Sequence, residues 1–370
     1  MEMADLQSLQ AQVLWAAFAV AVVFGFIAQR THFCTMGAVS DIVNMGSWTR
    51  MRMWALAVAV AMIGFHLLAW MGWIDPGKTI YASGRIVWLS AIVGGLLFGF
   101  GMVLASGCGS KTLVRIGGGS LKSLTVFFVM GFSAFATLSG VLAVARVKTV
   151  DTVAFEIGAG APLPGWVAAA FSLDPALTGL ATALLIGGAL ALWALASAEF
   201  RTGSNLLGGI GLGLTITAMW WVTGHLGFVP EHPETLEAVY LATDTGRMES
   251  LSFTAPMAYT LDWLILFSDA SNLLTVGVVA VAGVVLGSLL QSLLDRSFRW
   301  EGFRSTQDTA LHLTGAACMG VGGVTALGCT VGQGLSGLST LSLTSMIAVT
   351  GIVLGAVLGL RFQLWLLERE

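Results

Sequence analysis

The sequence has little charge. Only 10% of its 370 residues are Asp, Glu, Lys or Arg, whereas an ordinary soluble domain carries about 25%. A soluble chain of this length would need a charged surface, and these residues are too few to form one. Most of the surface must therefore face lipid. The net charge of −3 and the absence of a basic run give no reason to expect nucleic acid as a partner.

Cysteine is also scarce. The four cysteines, Cys34, Cys108, Cys318 and Cys329, are too few and too widely spaced for a disulfide scaffold, and they match no zinc-site spacing. We therefore expect no bound metal and no cofactor. The N-terminal residues 1–12 are acidic and polar and lack the basic start of a cleavable signal peptide, so we expect the first apolar segment to be retained.

Long apolar runs are what the sequence does contain. Hydrophobic residues make up 56% of the chain, 47 residues are glycine, and the mean hydropathy is +0.86. A spanning helix needs about 20 mostly apolar residues, and about nine segments meet that requirement. We predict an all-α polytopic membrane protein that forms one transport domain, residues 1–370. The predicted spans are 11–29, 50–73, 86–106, 123–146, 174–197, 204–228, 272–294, 309–327 and 343–366.

The loops predict an orientation. Most lysines and arginines fall in alternate loops, which places the N-terminus outside and the C-terminus inside the cell. The apolar segment 251–268 contains Pro256 and Asp262, so we interpret it as re-entrant or interfacial. The apolar piece 162–172 is too short to span.

The chain contains an internal repeat. Segments 95–108 and 316–329 align without gaps, share several glycines and both end in Gly-Cys. In the predicted topology the first copy ends inside and the second ends outside, which is an inverted-topology repeat, a common plan of transporters. We place repeat 1 at about 11–147, repeat 2 at about 204–366 and a linking helix at about 174–197.

Three cysteine-containing segments follow apolar runs: 29–41, 106–120 and 327–339. Their glycines allow close approach of backbone or ligand, and short half-helices after the cysteines would direct free N–H groups at an anion. A thiol is soft, polarizable and neutral near pH 7. We predict a substrate path lined by Cys34, Cys108 and Cys329. The supporting residues are Gly107, Gly109, Ser110, Lys111, Gly328, Thr330, Gly332, Gln333 and Gly334.

Several residues have two interpretations. Lys111 and Arg115 would attract an anion to the inner mouth, or they only mark the cytoplasmic side. Cys318 lies in no motif and is best explained as a small buried hydrophobe. The remaining titratable candidates either contribute to function or are ordinary structural groups. They are His66, His225, His312 and Glu199.

The three segments resemble the YeeE/YedE family of bacterial sulfur-transport membrane proteins. The resemblance rests on Phe33, Cys34 and Asp41, on Gly107, Cys108 and Ser110, and on the run from Gly328 to Gly337. This chain departs from the family pattern at Gly109 and Lys111. The resemblance implies an hourglass-shaped inverted repeat with re-entrant short helices, in which thiosulfate passes between the thiols of Cys34, Cys108 and Cys329. By analogy it also implies a small cytosolic sulfur-carrier protein as partner.

The sequence therefore predicts a thiosulfate importer and not an enzyme. The same fold carrying sulfite, selenite or another sulfur or selenium species is an alternative. A membrane thiol-redox or persulfide-transfer protein would want a resolving cysteine nearby, and no C-x-x-C occurs. A soft-metal transporter would use thiolate ligands. Import of a dianion into a negative cell costs about 2.3 kcal/mol per charge per 100 mV, so we expect metabolic trapping of the anion inside the cell, with proton coupling as the less favoured alternative.

Overall fold

The computed structural model describes residues 3–156, 162–233, 236–269 and 273–368, without the side chains of residues 3 and 4. The helices are α1 (Met3–Arg30), α2 (Thr35–Met45), α3 (Thr49–Trp70), α4 (Trp88–Leu104), α5 (Gly109–Gly117), α6 (Leu121–Leu138), α7 (Val141–Lys148), α8 (Leu163–Phe171), α9 (Pro175–Leu195), α10 (Gly203–Leu206), α11 (Leu212–Trp221), α12 (Thr254–Ile265), α13 (Val276–Leu294), α14 (Thr306–Thr325) and α15 (Leu343–Leu367).

Shorter elements complete the described chain. Three π-helical segments, Leu207–Gly211, Val222–Leu226 and Gly332–Gly337, extend or follow the α-helices, and two 3-10 turns are Pro76–Lys78 and Val150–Thr152. Strand β1 (Arg85–Ile86) pairs with β2 (Phe155–Glu156), and β3 (Phe228–Val229) pairs with β4 (Val239–Tyr240), both antiparallel. The predicted all-α polytopic class is confirmed.

Eight helical stretches among the described residues are long and apolar enough to cross a membrane. They coincide with eight of the predicted spans, except that position 272 lies outside the described residues. The predicted span 309–327 is α14, which has 20 residues but is less apolar and packs against α4 and α6. The predicted span 123–146 is interrupted, because α6 ends at Leu138 and α7 begins at Val141.

The two short apolar segments form short helices. Segment 251–268 contains α12 with 12 residues, and segment 162–172 contains α8 with nine residues. At about 1.5 Å per residue, neither helix can cross a hydrocarbon core of about 30 Å. Neither helix is therefore long enough to span, and the re-entrant or interfacial position of 251–268 stays a prediction.

Glycines allow the central helices to touch backbone to backbone. A Cβ at Gly99 of α4 would overlap the carbonyl of Ile352 on α15. A Cβ at Gly355 of α15 would overlap the carbonyl of Leu96 on α4. Because lipid provides no hydrophobic force between helices, such close packing is the main source of their association.

The helix contacts repeat in a symmetric pattern. Helix α4 packs on α15 and its sequence counterpart α14 packs on α6, while α1 packs on α13 and α11 packs on α3. The ends of α4 and α14 also carry the same hydrogen bonds, from Gly107 N–H to Met102 and from Gly328 N–H to Gly323. The contacts support two equivalent halves. The opposite orientation of these halves and their boundaries stay predictions.

Helix α9, in the predicted linking segment, has the most lipid-exposed surface of the candidate spans. It begins at an N-cap, where the Asp174 carboxylate accepts a hydrogen bond of 2.8 Å from Leu177 N–H. Leu185 and Leu192 are 75% and 73% exposed, which is the expected state of leucines that face acyl chains.

Candidate functional site

The same backbone turn precedes Cys34, Cys108 and Cys329. Two positions before each cysteine stands a non-glycine residue in the left-handed region: His32 at φ 51°, Ser106 at φ 57° and Leu327 at φ 60°. The backbone N–H of the residue between them donates a hydrogen bond to the carbonyl five positions earlier, at the end of the preceding helix. This bond defines the Schellman motif of a helix C-terminus. A left-handed non-glycine residue costs about 1–2 kcal/mol. The fold therefore stabilises this turn three times at one fixed offset from a cysteine.

Cys34 is the N-cap of α2. Its backbone is extended, with φ −162° and ψ 119°, and its sulfur accepts a hydrogen bond of 3.3 Å from Gly37 N–H. A Cβ at Gly37 would overlap the Arg50 guanidinium, whose Nε lies 3.1 Å from Asp41 Oδ2. The Asp41–Arg50 ion pair therefore places a cation over the first turn of α2 beside this thiol.

Cys108 is the N-cap of α5 and is 1% exposed. Its sulfur lies 3.3 Å from the Ser110 hydroxyl, and its carbonyl accepts a bond of 3.1 Å from Thr112 Oγ1. Its side chain accepts no capping bond from α5. The first N–H groups of this helix are therefore not capped by the Cys108 side chain.

Cys329 is fully buried and lies before the π-helical segment Gly332–Gly337. Its sulfur accepts a hydrogen bond of 3.4 Å from Gly332 N–H, the same three-residue spacing as Cys34 to Gly37. The carbonyl of Gly332 accepts a bond of 2.6 Å from the Tyr81 hydroxyl. Single π-helical turns inside helical proteins are common at functional sites.

The thiols are brought together. Cys108 is close enough to interact electrostatically with Cys34 and also with Cys329. It therefore connects the other two thiols. Cys318 lies elsewhere, on the face of α14 where its Cβ lies 2.8 Å from a Cβ built on Gly101 of α4. The site thus collects the three predicted cysteines and leaves Cys318 at a helix contact.

The supporting glycines lie so close to neighbouring side chains that a Cβ would crowd them. A Cβ at Gly332 would lie 2.5 Å from Ser252 Oγ, and one at Gly334 would lie 3.0 Å from the Trp54 ring. A Cβ at Gly109 would lie 3.1 Å from Met130 Cε, and one at Gly107 would lie 3.2 Å from Lys111 Cγ. Gly328 needs its positive φ of 154°. Each predicted glycine therefore lies at a close approach or in a special backbone conformation.

Thr330 and Gln333 are buried polar residues with unsatisfied oxygens. Gln333 Nε2 donates 2.8 Å to the Ala326 carbonyl, which sets the amide orientation. Its Oε1 and the Thr330 Oγ1 have no hydrogen-bond partner among the described residues. Such buried orphans cost about 1–3 kcal/mol each, so they are expected where a ligand or water completes the bonding.

A vestibule of about 420 Å³ opens beside the Cys329 turn. Gly328 and Gln333, which flank that turn, line it. Its charged and phenolic lining residues are Tyr81, Arg85, Arg146, Asp151, Asp244, Glu249 and Tyr259. The Cys329 turn thus borders a cavity that is lined by loops and by residues of α12, α13 and α14.

A basic cluster lies beside the other two thiols. We define it as His32, Arg50, Lys111 and Arg115. Lys111 interacts electrostatically with Cys34 and Cys108, and with Arg50 and Arg115. His32 has Lys111 and Arg50 as neighbours. The two predicted cations, Lys111 and Arg115, therefore face the cysteines and belong to a larger cationic group than the sequence indicated.

Sequence reasoning missed the vestibule residues Tyr81, Asp244 and Glu249. Both carboxylates lie in the acidic segment 229–250, and such a composition is typical of any outward-facing loop and does not indicate a cavity. One signal was available, since tyrosine occurs only three times in the chain and two of the three line the vestibule.

The other titratable candidates occupy helix contacts or the surface. His66 packs on Phe65 and against Gly179 of α9. His225 Nδ1 lies 3.2 Å from the Trp73 carbonyl, and His312 Nδ1 lies 2.7 Å from the Asp308 carbonyl. Glu199 is exposed. No group of three or more His, Cys, Asp and Glu residues suited to a metal occurs in the part of the chain that the structure describes.

A multi-pass helical bundle with buried polar residues and a cavity beside them is typical of a membrane transporter. The family model for sulphur transport matches residues 30–358. The chain therefore belongs to the sulphur transport family, as the resemblance to YeeE/YedE proteins predicted.

Curated relatives share this assignment. The chain is 26% identical to the thiosulfate transporter TsuA of Spirochaeta thermophila over 357 residues, which is 93% of this chain and 97% of the relative. It is 27% identical to the thiosulfate transporter TsuA of Escherichia coli over 340 residues, 90% of this chain and 89% of the relative. A shorter match, 32% over 104 residues, covers 28% of this chain and 24% of the probable transporter YedE of E. coli.

Proposed function

We propose that this protein imports thiosulfate across a bacterial inner membrane along a path lined by Cys34, Cys108 and Cys329. The observation that carries the proposal is the common turn before these three cysteines together with the position of Cys108 as neighbour of the other two. Two near-full-length relatives bear the name thiosulfate transporter. Transport without covalent change of the anion makes the protein a carrier and not an enzyme.

The neighbours give the path an order. Tyr81 interacts with Glu249 of the vestibule and with Cys329. Cys329 is followed by Cys108, then by Cys34, and the basic cluster lies beside this last pair. With the N-terminus in the periplasm, the anion would enter from the vestibule and leave toward the basic cluster and the cytoplasm.

The chemistry of each step suits a soft anion. A neutral thiol is a weak donor and does not repel negative charge. Backbone N–H groups of Gly37 and Gly332 donate to the sulfurs of Cys34 and Cys329 and so help to fix the positions of these two thiols. Lys111 would then attract the dianion out of the neutral centre. The path replaces the water shell of the anion by S–H, N–H and hydroxyl contacts.

The product side fits a consuming partner. Two negative charges moving into a negative cell cost about 2.3 kcal/mol each per 100 mV. Removal of the anion by a small cytosolic sulfur-carrier protein or a sulfur enzyme would keep its inner concentration low. The basic cluster is the surface at which such a handover would begin.

Uptake of radiolabelled thiosulfate tests the proposal in cells that lack their own thiosulfate import. We expect wild type to restore uptake and growth on thiosulfate, and Cys108→Ala and Cys329→Ala each to reduce uptake by about tenfold or more, since a hydrogen bond to a charged group contributes about 1.5–3 kcal/mol. Cys318→Ala is the matched control, because this thiol lies at the α4 contact, and it should transport normally.

Two outcomes would overturn the proposal. Wild-type protein that reaches the membrane and gives no thiosulfate uptake would remove the function. Normal uptake by all of Cys34→Ala, Cys108→Ala and Cys329→Ala would remove the thiol path. Competition by sulfite, sulfate and selenite ranks the related anions, and we expect sulfate, which has no terminal sulfur, to compete poorly.

A further inference from the structure

Two carboxylates line the vestibule without an ion-pair partner. Asp244 and Glu249 lie in the loop between β4 and α12, are half-buried and both contribute to the lining. The ion pairs among the described residues include neither of them. Partly buried ionised carboxylates are costly without a cation, and in an anion path they would also repel the substrate.

The pair is held in place by its own loop and two helices. Glu249 Oε1 accepts a hydrogen bond of 3.2 Å from Asp244 N–H. The backbone carbonyl of Glu249 accepts a hydrogen bond of 2.6 Å from Thr223 Oγ1. Asp244 Oδ2 lies 2.7 Å from a Cβ built on Gly277 in the first turn of α13. The loop that carries the two carboxyl groups is therefore bonded to Thr223 and packs against the first turn of α13.

The cations of the vestibule are directed elsewhere. Arg146 Nε lies 3.2 Å from Asp151 Oδ2, and Arg85 Nη2 donates 2.8 Å to the Asp151 carbonyl. With every group ionised, these two cations face three carboxylates, so the net charge of the lining is negative. The other titratable groups around the pair are the phenols of Tyr81 and Tyr259, with Lys78 and the exposed Arg247 on adjoining backbone.

A second observation marks this cavity as a binding site. Gln333 is fully buried, lines the vestibule and has an Oε1 with no partner among the described residues. Its amide is held by the bond to the Ala326 carbonyl, so Oε1 stays an acceptor that only an incoming donor can satisfy. A hydrated anion brings such a donor in its water shell.

We propose that Asp244 and Glu249 form a proton-binding site, and that an anion enters the vestibule together with a proton on this pair. The inference rests on the proposed transport function and deepens it. A protonated carboxyl adds an O–H donor for a sulfonate oxygen, whereas an ionised one opposes the dianion. Protonation of one carboxyl brings the formal charge of the lining to zero, and protonation of both makes it positive.

The electrostatic setting supports this geometry. Burial raises the pKa of Glu249 from 4.5 to about 8, and the charge of Asp244 adds to the shift. Burial raises the pKa of Asp244 from 3.8 to about 6, against a hydrogen bond from Thr275. Near neutral pH the pair therefore holds one proton and lies close to taking up the second.

Isothermal titration of thiosulfate into the purified full-length protein tests the inference. Dissociation constants measured from about pH 5.5 to about pH 8.5 should rise with pH. The rise should reach up to about tenfold per pH unit wherever binding of one anion is accompanied by uptake of one proton. Titrations in buffers with different ionisation heats should show about one proton taken up per anion near neutral pH. These two measurements on the wild type need no variant.

The variants localise the protons. Asp244→Asn with Glu249→Gln replaces both carboxyls by neutral groups of similar shape, and we expect thiosulfate to bind with no pH slope and no proton uptake. Glu237→Gln removes an exposed carboxylate of the preceding loop, between β3 and β4, that does not line the vestibule, and it should retain the wild-type slope.

Each contrary outcome has a distinct meaning. A wild-type dissociation constant that stays constant over this pH range, with no proton uptake, would make the inference wrong while leaving thiosulfate transport intact. A double variant that keeps the wild-type slope would place the proton elsewhere. Absence of thiosulfate binding at every pH would remove the proposed function and this inference together.

Discussion

The hydroxyl of Tyr81 donates a hydrogen bond of 2.6 Å to the carbonyl of Gly332, a residue 251 positions away in the chain. The N–H of the same glycine lies 3.4 Å from the sulfur of Cys329. One residue from the loop after α3 thereby positions the peptide group next to the most buried thiol, and it also lines the vestibule. The two halves of the chain meet at this contact.

Replacing Tyr81 by Phe should remove the hydrogen bond and keep the ring in place. We expect thiosulfate uptake to fall about fivefold, because a neutral hydrogen bond contributes about 1 kcal/mol and Gly332 loses its fixed orientation toward Cys329. Initial uptake rates in vesicles measure the effect. Tyr240→Phe, in β4 and outside the vestibule lining, is the control, and an equal fall in both variants would contradict the assigned role of Tyr81.

The sequence was sufficient for the helical class and for eight spans, whereas the substrate path along the three cysteines stays a prediction. Each of these depends on local pattern: apolar run length, glycine content and the Gly-Cys motif. Cys108 and Cys329 were identified because a repeat aligned them, and the structure adds that His32, Ser106 and Leu327 adopt the same left-handed turn. Nothing in the sequence around His32 indicates glycine-like geometry, so that third turn could not be predicted.

The vestibule could not be predicted from the sequence for a different reason. Tyr81, Asp151 and Glu249 lie in three separate loops and meet only through the packing of α12, α13 and the strands. Polar residues in loops of a membrane protein usually mark its aqueous faces, and their pattern alone does not separate a lining residue from a solvated one. Whether a carboxylate of the vestibule has a cation as ion-pair partner can be seen only in the three-dimensional structure.

Lys111 should contribute to release on the cytoplasmic side. It faces Cys34 and Cys108 together with Arg50 and Arg115, so Lys111→Gln removes one charge that attracts the anion. We expect thiosulfate uptake to fall about tenfold and its dependence on salt to weaken, because a charge-assisted contact contributes about 1.5–3 kcal/mol. Lys111→Arg should retain most of the activity.

The control for Lys111 is Arg361→Gln, an exposed charge on α15. This variant tests whether the loss of any positive charge reduces thiosulfate uptake, for example by disturbing the orientation of the protein in the membrane. If Arg361→Gln and Lys111→Gln reduce uptake equally at matched membrane levels, the basic cluster has no special part in transport.

Backbone packing between α4 and α15 should limit stability. A Cβ at Gly355 would overlap the Leu96 carbonyl, so Gly355→Ala must separate the helices. We expect a loss of about 1–3 kcal/mol, the usual cost of overpacking, seen as a lower midpoint of thermal unfolding in detergent. Gly188→Ala on α9 meets no atom within 4 Å and should leave the midpoint unchanged or raise it. Equal midpoints for the two variants would contradict close α4–α15 contact.

Glu249 should also make the stability of the protein depend on pH without any anion present. Its pKa is about 8 in the folded protein against an ordinary value of 4.5, so between these values the unfolded chain releases a proton that the folded protein keeps. Stability therefore falls as pH rises from about 4.5 to about 8, and it is highest on the acid side of this range. Glu249→Gln carries no titrating proton, so its unfolding midpoint should decline less over the same range and exceed that of wild type most clearly near pH 8. Parallel midpoint curves for the two proteins would show that Glu249 is ionised in the folded state, and the second carboxyl, Asp244, would then be the group to test by Asp244→Asn.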